Sequence, residues 1–128
     1  MPEARFSINN STKGKPPRLP FASMKDAVLG KKYTLSVNFI GSRASRDLNR
    51  RYRGKDTATD ILSFPLDNEE GEIYIDLGSS KKEAKKFGRE FENFIAFLFI
   101  HGLLHLKGHD HGSTMESIER KFRKKFGI

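Results

Sequence analysis

The sequence predicts one domain, spanning residues 1–128, in which short strands and helices surround a buried helix. Three observations lead to this prediction. A chain of 128 residues is long enough to bury a hydrophobic core without disulfides. Segments that alternate apolar and polar residues are separated by segments with helical spacing. Residues 91–106 are apolar almost all round a helix, which is typical of a helix at the centre of a small protein.

The first half of the chain predicts two strands and two helices. In chain order these are a strand, a short helix, a strand and a longer helix: residues 5–9, 23–29, 34–39 and 42–52. Gly30 ends the short helix, and Ser42 is the predicted N-cap of the longer helix. On the longer helix, less polar side chains form one face and arginines the opposite face: Ala44, Leu48 and Tyr52 against Arg43, Arg46, Arg50 and Arg53.

The second half predicts two further strands and two helices. The strands, residues 61–64 and 72–77, are joined by a polar hairpin-type loop. The buried helix follows and ends at Gly108. Ser113 and Glu116 have the spacing of a capping box at the start of the last helix. The last helix carries an apolar stripe that we expect to pack inward: Met115, Ile118, Phe122 and Phe126.

Composition restricts the partners and the chemistry of the chain. The 24 basic and 16 acidic residues give a formal charge of +8, which attracts polyanions. The chain has no cysteine, so thiolate metal sites and cysteine nucleophiles are excluded. The N-terminus lacks the apolar run of a signal peptide, and the longest apolar stretch is shorter than the about 20 residues that span a bilayer. We therefore expect a cytoplasmic protein.

All four histidines lie between residues 101 and 111, which predicts a metal site. His101 and His105 are four residues apart on the buried helix and project from one face. Gly108 lets the chain turn, so that His111 can approach the same face. Three imidazoles match a catalytic zinc site with one open coordination position. Ordinary core or surface histidines are the alternative, but an unpaired buried polar group costs about 1–3 kcal/mol.

The histidine spacing also matches the ligand pattern of the metzincin metalloproteases, with one difference. Gly102 stands where those proteases carry the glutamate that acts as general base. The proton acceptor must therefore come from elsewhere, which argues against peptide hydrolysis by the usual route. Asp110 could accept the proton or orient an imidazole, or it could be a simple turn carboxylate. His109 is offset from the ligand spacing and is expected behind the ligands or in solvent.

Two further segments accompany the histidine segment, residues 101–111. They are Thr59-Asp60-Ile61-Leu62-Ser63-Phe64-Pro65, preceded by Tyr52-Arg53-Gly54-Lys55-Asp56, and Gly71-Glu72-Ile73-Tyr74-Ile75. Together the segments resemble the YbeY family of endoribonucleases and rRNA maturation factors, over about residues 34–126. The resemblance implies an α+β, zincin-like single domain, in which a small mixed four-stranded sheet packs against a buried metal-binding helix. It also implies one zinc ion per chain, held by the three matching histidines.

The resemblance further implies metal-dependent cleavage of single-stranded RNA. The expected role is maturation of the 3′ end of small-subunit rRNA and ribosome quality control, with the ribosomal small subunit or its proteins as partner. Arg53 is marked as functionally important, and we expect it to hold a phosphate near the metal. Arg43, Arg46 and Arg50 would follow the RNA backbone without reading its sequence. Either water or the RNA 2′-hydroxyl could be the nucleophile.

Two rival functions come from other classes. The chain could be a non-catalytic ribosome-assembly factor with a structural zinc, or a metalloprotease. Three histidine ligands without cysteine argue against a closed structural site. Gly102 argues against the protease. Ser63 and Phe64 could line a cleft, although plain core packing explains Phe64 equally well.

Overall fold

The structure is a computed structural model that describes residues 5–108 and 112–128. Nine elements follow one another within these residues: β1 (Phe6–Asn10), α1 (Phe21–Leu29), β2 (Thr34–Ile40), α2 (Ser42–Arg53), β3 (Ile61–Asp67), β4 (Glu70–Asp76), α3 (Leu77–Lys86), α4 (Phe91–Leu106) and α5 (Ser113–Lys125). The four predicted strands and four predicted helices are all present. Asp110 and His111 lie outside the described residues.

The strands form one mixed sheet in the order β1-β2-β4-β3. β1, β2 and β4 are parallel, whereas β3 pairs antiparallel with β4 and lies at the edge. This confirms the expected α+β fold with a small mixed sheet. Side chains alternate between two faces of the sheet. The inward face is fully apolar on the two central strands, where it carries Leu35, Val37, Phe39, Ile73 and Ile75.

Helix α4 is the centre of the fold, as its all-round apolar character predicts. Its buried side chains come from every side of the helix: Phe94, Ile95, Ala96, Leu98, Phe99, Ile100, Leu103 and Leu104. The helix contacts β3 and β4 of the sheet as well as the helices α1, α3 and α5. Gly108 follows the end of α4 with a φ of 101°, a left-handed conformation that glycine adopts without strain.

Helix α4 packs closely against β3 at Gly102. A Cβ atom at this position would lie 2.8 Å from Ile61 Cδ1 and 2.9 Å from Ser63 Oγ. The Ser63 hydroxyl donates a hydrogen bond to the Gly102 carbonyl, at 3.3 Å. The helix therefore rests directly on the edge strand, because residue 102 has no side chain.

Helix α3 was not predicted, and its sequence explains why. The helix is mostly polar, and it buries one large apolar side chain, Leu77, together with the smaller Ser80 and Ala84. Such a stripe has little apolar periodicity. The start of the helix is set by Asp76, whose carboxylate accepts a hydrogen bond from the Ser79 amide at 3.0 Å.

Several predicted boundaries were wrong. Strands β3 and β4 extend into the predicted loop, so that only Asn68 and Glu69 connect them. Pro65 is accommodated because β3 is an edge strand, where a missing N–H is tolerated. Ser42 and Ser113 are not N-caps. Each is the first residue of its helix, after a glycine, and no side chain caps either helix.

Helix α2 also turns a different face inward from the one its sequence suggests. Its buried residues are Ser45 and Asn49, whereas Ala44 is exposed and Tyr52 is 63% exposed. Hydrogen bonding explains this choice, because both buried side chains bind the loop that leads to β3. Within residues 5–108 and 112–128, no helix is long and apolar enough to cross a bilayer.

The close packing at Gly102 predicts a specific loss of stability. Gly102→Ala should destabilise the fold by about 1–3 kcal/mol, because the new methyl group overlaps Ile61 and Ser63. Gly78→Ala is the matched control in α3, where a Cβ meets its nearest atoms at 3.5 Å, an ordinary contact distance. The control should be neutral or stabilise by up to about 1 kcal/mol. Urea unfolding of both variants measures the difference, and equal stabilities would contradict close packing at residue 102.

Candidate active site

The histidine pair on α4 is the centre of the candidate site. His101 and His105 are half-buried, and their Nε2 atoms lie 3.1 Å apart. At this distance one ring nitrogen can donate a hydrogen bond to the other. Two nitrogens bound at about 2.0–2.1 Å to one tetrahedral zinc lie about 3.3 Å apart. The separation of the two Nε2 atoms is therefore close to that of two ligands of one metal ion.

A third residue, Glu119 on α5, supports this pair from behind. The Glu119 side chain is buried, and its Oε2 atom lies 3.4 Å from Nδ1 of His101. A carboxylate behind a ligand imidazole orients the ring and selects its tautomer. Glu119 is not among the site residues predicted from the sequence. Its signal was an acidic residue one turn after Met115, within the inward face of an amphipathic helix.

The described residues supply only part of the predicted zinc ligand set. The third predicted ligand, His111, lies outside the described residues, and so does Asp110. Within residues 5–108 and 112–128, no group of three His, Asp or Glu side chains is arranged to hold a metal ion. Glu119 lies beside Nδ1 of His101, whereas His105 lies beside Nε2 of the same ring. The described part of the site therefore contains two candidate ligands and one supporting carboxylate.

His101 and His105 line a cleft of about 540 Å³. One wall is α4, and the opposite side is formed by β3 and the C-terminal end of α2. The lining residues come from these three elements and the loop before β3: Tyr52, Arg53, Thr59, Ile61, Leu62, Ser63, Phe64, His101, Gly102 and His105. The fold thus brings Arg53, Ser63 and Phe64 to the same cleft as the histidines.

The other three predicted arginines lie apart from this cleft. Arg46 forms a two-point ion pair with Asp56, at 2.8 and 3.0 Å. Arg50 lies 3.2 Å from Asp47 and 3.8 Å from Asp56. The hydrogen bond from Arg46 and the charges of both arginines hold the pKa of Asp56 below its usual value. Arg43 is exposed at the first turn of α2.

A set of polar contacts fixes the loop between α2 and β3. The Ser45 hydroxyl donates to the Thr59 carbonyl at 2.7 Å and accepts from the Thr59 amide at 3.0 Å. The Asn49 side chain donates to the Thr57 carbonyl at 2.8 Å. These bonds, which the sequence analysis missed, tie the start of β3 to the helix that carries Arg53. Their signal was a pair of small polar residues four positions apart on one helix face.

Asp60 is a half-buried acid at the start of β3. Burial raises its pKa, and the nearby charge of Glu83 raises it further, while the charge of His101 acts in the opposite direction. Acids whose pKa is raised by burial are common near functional sites, although structural carboxylates show the same effect.

The sequence matches a known family over most of its length. Residues 19–127 match the family described as Endoribonuclease YbeY. This chain belongs to the YbeY family. An Endoribonuclease YbeY from Solibacter usitatus is 44% identical over 92 residues, which cover 69% of this chain and 63% of the relative. Another from Bacillus velezensis is 36% identical over 121 residues, which cover 83% of this chain and 76% of the relative.

A solved structure shows the same fold. TM1509 from Thermotoga maritima, determined in solution, superposes with a TM-score of 0.67 at 26% sequence identity, and the match covers 94% of this chain and 88% of that protein.

The match to an Endoribonuclease YbeY from Alkaliphilus metalliredigens covers 66% of that relative. The chain therefore spans slightly less than two thirds of the length of some YbeY relatives.

The two carboxylates before β3 should affect stability with opposite signs. The pKa of Asp60 is higher in the folded protein than in the unfolded chain, so the folded protein binds this proton more tightly. The contribution of protonated Asp60 to stability is complete below the unfolded pKa of about 3.9. It is lost as the pH rises through the raised folded pKa. Asp60→Asn remains neutral and should be more stable than wild type near pH 7. This difference should close as the pH falls below about 4.

Asp56→Asn is the matched control for that experiment. The Asp56 pKa is lowered in the fold, so its ionised form stabilises the protein and the variant should be less stable near pH 7. This difference should also close as the pH falls through the lowered folded pKa. Urea unfolding across this pH range, with chelator present, measures both differences. A less stable Asp60→Asn protein near pH 7 would contradict the raised pKa.

Proposed function

We propose that this YbeY-family chain is a zinc-dependent endoribonuclease that cleaves single-stranded RNA. We further propose that it acts in the cytoplasm, in 3′-end maturation of small-subunit rRNA, ribosome biogenesis and ribosome quality control. The observation that carries the proposal is one cleft lined by both Arg53 and the paired nitrogens of His101 and His105. The names of the relatives, Endoribonuclease YbeY, support the choice of RNA as substrate.

Zinc is the proposed cofactor, in a zincin-like site formed by His101, His105 and His111. The support for this is the 3.1 Å distance between the two Nε2 atoms and the carboxylate of Glu119 behind His101. When bound, zinc would act as a Lewis acid and stabilise negative charge that develops at the scissile phosphate. To bind zinc, the histidines must be unprotonated at Nε2, and Glu119 favours this tautomer of His101 by accepting a hydrogen bond from its Nδ1–H.

Arg53 is the proposed phosphate-binding residue. It lies at the last turn of α2, its side chain is exposed, and it lines the cleft. In the described parts of the chain, no carboxylate lies within ion-pair distance of Arg53, unlike Arg46 and Arg50. Its guanidinium is thus available to bind two phosphate oxygens at once. A positive group at this position would stabilise the negative charge that develops at the phosphate in the transition state.

The proposed proton chemistry relies on residues other than a helix glutamate. The packing of Gly102 against Ile61 and Ser63 leaves no room for a side chain at that position. Asp110, next to the proposed ligand His111, is the acid that we propose to accept a proton or to orient an imidazole. This arrangement lacks the general base of the metzincin proteases, and it favours RNA over peptide as substrate.

The remaining arginines are proposed to contribute to long-range attraction of RNA. Their contribution should be graded, because Arg46 and Arg50 already bind Asp56 and Asp47, whereas Arg43 is exposed. An RNA phosphate would have to compete with these carboxylates. We expect Arg53 to dominate the local binding of the phosphate at the cleft.

The metal site predicts two graded effects on zinc affinity. His105→Ala should lose the metal, because it removes one of three ligands. Glu119→Gln should keep the three ligands but weaken zinc binding about 10- to 100-fold. The reason is that a neutral amide replaces the carboxylate beside Nδ1 of His101. Glu92→Gln, at an exposed position in the first turn of α4 and outside the cavities next to His101, is the matched control and should bind zinc normally. Competition with a chromophoric chelator measures the affinities, and the absence of any zinc binding by the wild type would refute the proposed cofactor.

Arg53→Ala should retain zinc and fold but lose about 10²–10³-fold in the rate of RNA cleavage. Arg53→Lys should restore little, because an ammonium group cannot make the planar two-point contact. Arg51→Ala is the matched control, an exposed arginine two residues away that does not line the cleft. Single-turnover cleavage of labelled single-stranded RNA, with and without chelator, measures the effect. Full activity of zinc-loaded Arg53→Ala would show that Arg53 is only a surface charge.

A further inference from the structure

An exposed tyrosine lies beside Arg53 at the end of α2. Tyr52 is 63% exposed, yet its ring is in contact with Phe64 of β3, with centroids 5.1 Å apart. Phe64 in turn makes an edge-to-face contact with Tyr74 of β4, at 5.8 Å. The three rings cross from the helix to the outer face of the sheet. Tyr52 therefore has support on one side and an open surface on the other.

The burial of these rings follows their position. Phe64 and Tyr74 are half-buried, and burial raises the pKa of the Tyr74 phenol. Tyr52 is at the solvent end of the series. Aromatic pairs of this kind stabilise a fold by about 0.5–1.5 kcal/mol. Packing alone explains why Phe64 is covered, but it does not explain why a large ring is left mostly exposed in the wall of a cleft.

The surroundings of Tyr52 match the chemistry of single-stranded nucleic acid. Tyr52 and Phe64 line the same cleft as Arg53 and the histidine pair. Proteins that bind single strands combine a positively charged groove with aromatic rings on which bases stack. The cleft places an aromatic ring and a guanidinium on two consecutive residues, Tyr52 and Arg53.

We propose that Tyr52, supported by Phe64, is a stacking platform for one base of a single-stranded RNA whose phosphate is bound by Arg53. The inference rests on the proposed function and adds how the cleft selects its substrate. A base within a duplex is already stacked and paired, so it cannot cover the Tyr52 ring without being flipped out. An unpaired nucleotide covers the ring at little cost. The platform thus favours single strands without reading their sequence.

The test separates stacking from charge by varying the protein and the ligand together. One ligand is a 2′-O-methyl oligoadenylate of about ten nucleotides, and the other has the same number of phosphates but abasic tetrahydrofuran units. Fluorescence anisotropy gives the Kd of each for the zinc-loaded protein, and a gel confirms that the ligands stay intact. Tyr52→Ala should weaken oligoadenylate binding roughly 5- to 150-fold and leave abasic binding unchanged. Tyr52→Phe should bind both ligands as wild type does.

Phe87→Ala is the matched control, because Phe87 is similarly exposed at 66% and stacks on Phe94 but does not line the cleft. It should bind both ligands normally. If Tyr52→Ala weakened the binding of both ligands equally, or of neither, the platform would be overturned. RNA cleavage would remain a separately measured activity. A wild-type protein that binds neither ligand would overturn the platform and the RNA substrate together.

Discussion

The close contact between α4 and the edge strand β3 is the constraint on which the candidate site depends. Gly102 allows the helix to rest on Ile61 and Ser63 without an intervening side chain. Because His101 and His105 flank this contact on the same helix, their rings emerge where the sheet ends. A side chain at position 102 would overlap Ile61 and Ser63, so helix and strand could not approach each other as closely. The absence of a side chain at residue 102 thus allows helix and strand to pack closely beside the histidines.

Two further sets of contacts connect the same cleft to the rest of the fold. From α2, Ser45 and Asn49 form hydrogen bonds with the loop before β3. These bonds fix the position of β3 relative to the helix that carries Arg53. From α5, Glu119 reaches the back of His101. Each is a buried or half-buried polar contact, and such contacts are geometrically specific because leaving one unmade is costly. The site is therefore positioned by hydrogen bonds around an apolar centre.

The distribution of charge follows from these contacts more than from the net charge of +8. Arg46 and Arg50 belong to the same helix as Arg53, but the loop brings Asp56 to them. The loop thereby neutralises part of the arginine face, whereas Arg53 keeps its positive charge beside the cleft. Tyr52 and Arg53, next to each other at the helix end, present an aromatic ring and a guanidinium to one cavity. This combination is what gives the proposed RNA cleft its chemistry.

By itself the sequence determined the family, the strands, the central helix and the position of the histidine pair, because these depend on local periodicity and on short motifs. It did not reveal α3, whose buried stripe is too small and polar to show periodicity. It also suggested the wrong inward face for α2, since hydrogen bonds to a distant loop decided that orientation. The role of Glu119, the pairing of Arg46 with Asp56 and the support of Tyr52 by Phe64 join residues 10 to 18 positions apart. Only the tertiary structure could decide them, because contacts between separate elements depend on how those elements pack.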